Sequence, residues 1–257
     1  MNIALNWIGL KTIVTKEVIR VLRIWIQTIV PPAIMMTLYF VIFGNLIGSR
    51  IGLIEGAPYM QYIAPGLIMM AVITNSYGNV VSSFFGAKFG RHVEEMLVSP
   101  MSNATIILGH VAGGVIRGLL VGGLVTLIAL GFTRLHVEHP FITLSMVVLS
   151  STVFALAGFI NAMFARKFDD IAIVPTFVLT PLTYLGGVFY SISMLPEFWQ
   201  SVSKLNPILY MVNAFRYGIL GTSDIGIVYA YAIVCTFVVV LFSVCLVLMN
   251  RGVGIRE

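Results

Sequence analysis

Long apolar runs alternate with short polar connectors along this chain, and the lengths of the runs predict its architecture. The hydrocarbon core of a bilayer is about 30 Å thick, so a helix needs about 20 apolar residues to cross it. Six runs meet that need, at about 24–47, 62–85, 106–132, 141–165, 171–190 and 227–249. Each is expected to be a helix, because a helix satisfies its own backbone polar groups in lipid. Ahead of them, residues 3–23 have a different pattern. Lys16, Arg20, Arg23 and Gln27 recur at intervals of four, three and four, so they share one helix face. Ile8, Ile13, Val14, Val18, Leu22 and Trp25 fall mostly elsewhere. Such a helix lies in the membrane interface with its basic face toward water and lipid phosphates.

Between the last two runs, residues 191–226 hold Met194, Leu195, Phe198, Trp199, Ile208, Leu209, Tyr210 and Phe215. That is too apolar for a solvated loop. Short helices dipping into the outer leaflet are expected, broken at Pro196 and Pro207. The pattern as a whole predicts a single all-α transmembrane domain over 1–257. Its parts are six spans, an interfacial helix at 1–23, a cytoplasmic helical connector at 86–103 and an outer re-entrant segment at 191–226.

Composition agrees. Of 257 residues, 59% are hydrophobic and 10% charged, against about 45–50% and 25% in soluble domains. Mean hydropathy is +1.00. Disorder is excluded by the same numbers, a β-barrel by the long apolar runs in place of short alternating strands, and a disulfide framework by a cysteine count of two. Cys235 and Cys245 share the last apolar run and read as inert buried thiols. The first charge, Lys11, comes too late for a cleaved leader. The net charge of +5 is scattered between runs rather than gathered into a patch, which argues against a nucleic-acid partner.

The positive charges instead report orientation. Lys11, Lys16, Arg20, Arg23, Lys88, Arg91, Arg166, Lys167, Arg251 and Arg256 fall on one side; Arg50, Arg134, Lys204 and Arg216 fall on the other. Ten against four puts both termini in the cytoplasm. No internal repeat or inverted pair of broken helices is evident.

No Gly-Lys dipeptide occurs, so the chain lacks a P-loop for ATP. HExxH and GxSxG are absent too. His136 and His139 are spaced to hold a metal or to cap a helix; the cap is the simpler reading. His92 and His110 stand alone. Neither a catalytic group nor a metal site is expected on this chain.

Polar residues inside the runs face a helix bundle or a cavity rather than lipid. The second run holds Thr74, Asn75, Ser76, Tyr77, Asn79, Ser82 and Ser83. In the fifth, Thr176, Thr180 and Thr183 form one stripe beside Tyr184. Asn75, Tyr77, Asn79, Ser83, Thr176, Thr180, Thr183 and Tyr184 are therefore candidates for a translocation path, with structural hydrogen bonding as the other reading. In the third run Gly114, Gly118 and Gly122 repeat every four residues, a spacing that serves close helix packing within the chain or between copies. Arg117, in the cytoplasmic part of that run, needs a partner: Asp169, Asp170 or a lipid phosphate. Those two acids otherwise read as a solvated connector, or as a gate or second docking contact.

The connector after the second run reads KFGRHVEEMLVSP over 88–100. As a helix it turns Arg91, Glu94 and Glu95 to water and sets Val93, Met96, Leu97 and Val98 along an apolar edge. It is either a docking helix for a cytoplasmic partner or a solvated turn.

EEMLVSP resembles the coupling-helix motif of the type-2 ABC transporter permeases, a family of bacterial exporters. Three other stretches agree. PTFVLTPLTYLGGVFY (175–190) is similar to the family's fifth span. Asn206-Pro207-Ile208-Leu209-Tyr210 with Phe215-Arg216 is similar to its outer re-entrant segment. Pro31-Pro32 and Phe43-Gly44 fit its first span. The resemblance covers essentially the whole chain. It implies a half-transporter in a bacterial inner membrane: two permease copies, a homodimer, with two cytoplasmic ATPase subunits. The chain itself would hold no cofactor, and ATP and Mg would bind the partner. Arg91, Glu94, Glu95, Met96 and Leu97 would form the docking contact, with Lys16, Arg20 and Arg23 on the nearby interfacial helix. Polysaccharides, lipid-linked glycans, drugs and other amphiphiles are the substrates such a resemblance brings.

The rival is a secondary transporter or channel driven by an ion gradient. It would need intramembrane acids or histidines for coupling, and no Asp or Glu lies well inside a predicted run. An intramembrane enzyme is opposed by the missing catalytic constellations.

Overall fold

A computed structural model describes residues 3–54 and 56–254; of the charges counted above, Arg256 lies outside them. Helix α1 (Ile3–Arg23) meets α2 (Trp25–Tyr39) at Ile24. Helix α2 continues through a π-helical stretch, Phe40–Ile47, into the single turn α3 (Gly48–Ile51). The two-residue strands β1 (Leu53–Ile54) and β2 (Ala57–Pro58) pair antiparallel and return the chain to α4 (Tyr59–Phe89). Then come α5 (His92–Val98), α6 (Asn103–Phe132), α7 (Pro140–Phe164), α8 (Asp170–Val174), α9 (Thr180–Leu185), α10 (Glu197–Lys204), α11 (Pro207–Leu220) and α12 (Ile227–Arg251).

Among the described residues, five helices are long and apolar enough to cross a membrane, at Trp25–Gly44, Tyr59–Phe89, Asn103–Phe132, Pro140–Phe164 and Ile227–Arg251. They match five of the six expected runs to within a few residues. The expected fifth run, 171–190, is shorter than read. Its helix spans Asp170–Leu185, and a π-helical turn over Pro175–Leu179 divides it. At Gly186 it stops, and Gly187 turns back in the left-handed region at φ 71°. The physical reason for the stop is packing. A Cβ on Gly66 of α4 would stand 2.8 Å from Val188 Cα, so only a glycine there admits the returning backbone.

Helix α4 is the axis of the bundle, with most of its length buried against α6 and α7. The α4–α6 seam is a ridge in a groove. Val72, Ser76 and Val80 stand four residues apart on α4 and face Gly122, Gly118 and Gly114 of the antiparallel α6. A Cβ on Gly122 would lie 2.8 Å from Val72, and one on Gly114 2.8 Å from Val80. The glycine stripe is therefore spent on packing inside the chain. Gly158 of α7 does the same, with a Cβ position 2.7 Å from the Tyr77 carbonyl of α4.

The 191–226 segment is largely helical, and Pro196 and Pro207 begin its helices α10 and α11 rather than break them. Proline suits that place because a first-turn N–H has no intrahelical acceptor. Asn206 caps α11 by accepting from Ile208 N at 3.0 Å, and donates to the Leu182 carbonyl at 2.6 Å. Arg216 corrects the charge count. It is 1% exposed, lies 4.0 Å over the Tyr62 ring and donates to the Gly187 carbonyl at 2.6 Å. It is an internal clamp on the 186–190 turn, and no outer loop charge.

Candidate functional site

The connector helix α5 is short but firmly placed. Gly90 and Arg91 make the turn out of α4, with Arg91 in the left-handed region at φ 59°. Val93 is buried, while Met96 and Leu97 pack half-buried against the core. Glu94 and Glu95 are exposed in the first turn. That is the favourable end for acids, because the helix dipole is positive there. Pro100 follows the last turn.

Helix α1 runs beside it. Asn6 accepts hydrogen bonds from Ser102 N at 2.9 Å and from the Thr105 hydroxyl at 3.0 Å, fastening α1 to the start of α6. Between α1 and α5 lies an open cleft of about 490 Å³, lined by Gly9, Thr12, Ile13, Lys16, His92, Glu95, Met96 and Met101. Lys16, Glu95 and Met96, expected to share a docking face, do meet around this cleft.

Arg20 goes elsewhere. The buried ridge of α1 is Gly9, Ile13, Glu17 and Val21, four residues apart. Glu17 is fully buried. Its carboxylate accepts from the Ser83 hydroxyl, from Asn79 Nδ2 at 3.3 Å and from Arg20 Nη2 at 2.9 Å. Arg20 also donates to Asn79 Oδ1 at 2.8 Å and to the Asn79 carbonyl at 3.0 Å. Gly113 of α6 leaves room for the acid, since a Cβ there would stand 2.6 Å from Glu17 Cβ. Arg20 is thus turned into the bundle, whereas Lys16 and Arg23 are exposed. Glu17 itself went unnoticed in the sequence, because one acid among basic neighbours reads as a solvated residue. Its period-four alignment with Ile13 and Val21 was the available signal.

The eight residues expected along a path do not gather in one place. Asn79 and Ser83 face α1. Tyr77 is buried on α4. Asn75 accepts from Arg117 Nη2 at 3.3 Å, which makes Asn75, not Asp169 or Asp170, the partner of that arginine. Thr176 and Thr180 are exposed, but Thr183 is buried and donates to the Leu179 carbonyl at 2.7 Å. Thr180 and Thr183 differ although both lie in α9, past the π turn at Pro175–Leu179, so the expected stripe is split within one regular helical turn. Tyr184 reaches across to Tyr39, hydroxyl to hydroxyl at 3.2 Å.

Asp170 instead ties down the loop ahead of its own helix, accepting from Arg166 N at 2.8 Å and Lys167 N at 3.0 Å. Those two N–H groups hold its carboxyl below the usual carboxylate range. Lys88 has a similar role, donating to the Met163 and Ala165 carbonyls at 2.8 and 2.7 Å at the end of α7. His139 stacks on Tyr217 at 4.9 Å and ends the loop before α7. Of the cysteines, Cys245 is buried, but Cys235 is exposed. It sits on the outward face of α12, where no described helix covers it. No group of three or more metal-binding side chains gathers among the described residues.

A family model described as "ABC-2 type transporter" matches residues 9–220. The chain belongs to the ABC-2 type transporter family. The matched range begins on the buried ridge of α1 and ends with α11, so it takes in the cleft, the Glu17 cluster and the outer segment. This ABC-2 chain is 57% identical over 253 residues to the "Inner membrane transport permease YadH" of Escherichia coli strain K12, covering 98% of this chain and 99% of that one. It is 24% identical over 217 residues to "Nodulation protein J" of Rhizobium leguminosarum bv. viciae, covering 83% of each. Membership makes the ABC-2 chain the membrane subunit of an ABC transporter, its long apolar helices the transmembrane part.

Proposed function

We propose that this chain is the permease subunit of an ATP-driven exporter in a bacterial inner membrane, working as a homodimer with two cytoplasmic ATPase subunits. The observation that supports this best is the presentation of α5. Its apolar edge is anchored by Val93, its acids face water, and a cleft shared with α1 lies beside it. ATP and Mg belong to the partner. The chemistry of this chain is mechanical: nucleotide binding draws the ATPases together, α5 moves with them, and the bundle passes between inward- and outward-facing states. Such a shift needs a ligand that binds the two states differently, and nucleotide on the partner supplies it. Both termini lie in the cytoplasm in this reading, on the side of the basic residues.

The test is a mild-detergent pull-down of the tagged chain from its own membrane, with ATPase activity measured on the eluate. A Glu94→Lys/Glu95→Lys double variant is run beside it. Capture of an ATPase that the variant loses at least tenfold supports the reading. An inactive eluate in both samples removes the ATPase partnership and brings gradient-driven transport back, to be tested as ion-coupled uptake into liposomes.

A further inference from the structure

A second cavity, of about 310 Å³, opens on the side of the bundle between α2 and α4, with Gln27, Pro31, Met35, Tyr39, Asn75 and Arg117 among its walls. Its size is at the lower end of the roughly 300–1,000 Å³ usual for small-molecule sites. The walls are mostly apolar, with Gln27 and Thr74 as further polar members beside the hydrogen-bonded pair Asn75 and Arg117. Arg117 lies halfway along α6, a helix long and apolar enough to cross a membrane. A cation within such a span is costly to bury and marks function by default.

Its partners do not neutralise it. Asn75 accepts one hydrogen bond from it. Its Nε is buried with no acceptor, and no Asp or Glu lies within 4.0 Å, among the described residues. The nearby Arg20 repels it, and Glu17 is already paired with Arg20. One positive charge is left over at the bottom of an apolar cleft. Guanidinium is a planar fork matched to phosphate oxygens, and such charge-assisted pairs strengthen where water is scarce.

We infer that this cavity binds the phosphate head of an amphiphile, with Arg117 on the head and the Pro31 and Met35 wall along the tail. The inference rests on the transporter reading in one respect: transport is what would bring such a head to a cavity halfway along α6. Met35 is 49% exposed and stands at the mouth, so a tail has a way in from the side.

The test uses the full chain, with whatever ATPase co-purifies, in phosphatidylcholine nanodiscs. The probe is a long-chain alkyl phosphate carrying a diazirine; the control is the matching neutral alcohol. Labelling should map to α2 and α4, compete with unlabelled alkyl phosphate and fall at least tenfold in Arg117→Gln, with a smaller loss in Arg117→Lys. If Arg117→Gln does not purify as a single species, Met35→Trp replaces it; closing the mouth should abolish labelling with Arg117 intact. Equal labelling of wild type and Arg117→Gln, or equal labelling by the alcohol, overturns the site. Displacement of the probe by inorganic phosphate alone makes it a free-anion site and overturns the amphiphile. Labelling without ATPase capture leaves the site standing and removes the exporter reading; capture without labelling does the reverse.

Discussion

Ser83 on α4 donates a hydrogen bond to the buried carboxylate of Glu17 on α1, joining residues 66 positions apart. With Asn79 and Arg20 it makes α1 a fixed part of the bundle. Unmaking a buried ion pair costs about 3–5 kcal/mol; Arg20 keeps 24% of its side chain exposed, so the lower end applies. Glu17→Ala should destabilise the chain by about 3 kcal/mol, and Glu17→Gln, which keeps the hydrogen-bonding shape, by less. Thermal melts in detergent measure both, and trypsin should cut after Arg23 sooner in the alanine variant.

The α4–α6 seam gives a prediction with its own control. Gly114 has Val80 Cγ2 and Ala155 Cβ at 2.8 and 2.9 Å from an added Cβ, whereas Gly123 has nothing within 4 Å. Overpacking a closed seam costs about 1–3 kcal/mol. Gly114→Val should lower the melting temperature by several degrees, and Gly123→Ala should leave it unchanged.

On α5 anchoring and docking are separable. Val93 is 2% exposed, while Glu94 and Glu95 are open to water. Val93→Ala should cost about 1–2 kcal/mol and blunt the link between nucleotide and transport. It should leave ATPase capture largely intact, the opposite of the charge-reversal variant. Pull-down and substrate-stimulated ATPase rates, measured on the same samples, separate the two.

Asp170 carries a pH signature. Its folded carboxyl lies below the ordinary value, held by the Arg166 and Lys167 N–H groups. Stability from a depressed acid is present above the unfolded pKa, near 4, and is lost as pH falls through the folded value. Asp170→Asn should therefore melt below wild type at pH 7, with the gap closing as pH drops below about 4. A melt series from pH 7 to 3.5 reads this directly.

Much of the fold was legible from apolar run length, because lipid forces every backbone group into a helix and helix length follows bilayer thickness. The seam was legible for a related reason: small residues four apart leave a groove that a neighbour fills. What escaped were features set by a single contact. Arg216 looks like a loop charge until the Tyr62 ring and the Gly187 carbonyl surround it. The threonine stripe divides within α9 itself, where Thr180 is exposed and Thr183 is buried and donates to the Leu179 carbonyl. Asn75 and Asn79, four apart on α4, looked equivalent, yet one meets Arg117 and the other Glu17 and Arg20.

The two-residue turn at Gly90 and Arg91 has a consequence in leverage. It ties α5 directly to the end of α4, a helix of 31 residues, or about 46 Å at 1.5 Å per residue. At the far end of that rod sit Tyr62 and Gly66, against Arg216 and the 186–190 turn. With Gly90 as the fulcrum, a tilt of about five degrees sweeps that far end through about 4 Å. Because α6 and α7 are packed closely along α4, such a tilt would carry them with it, and the clamp at Arg216 would move by about the width of a side chain.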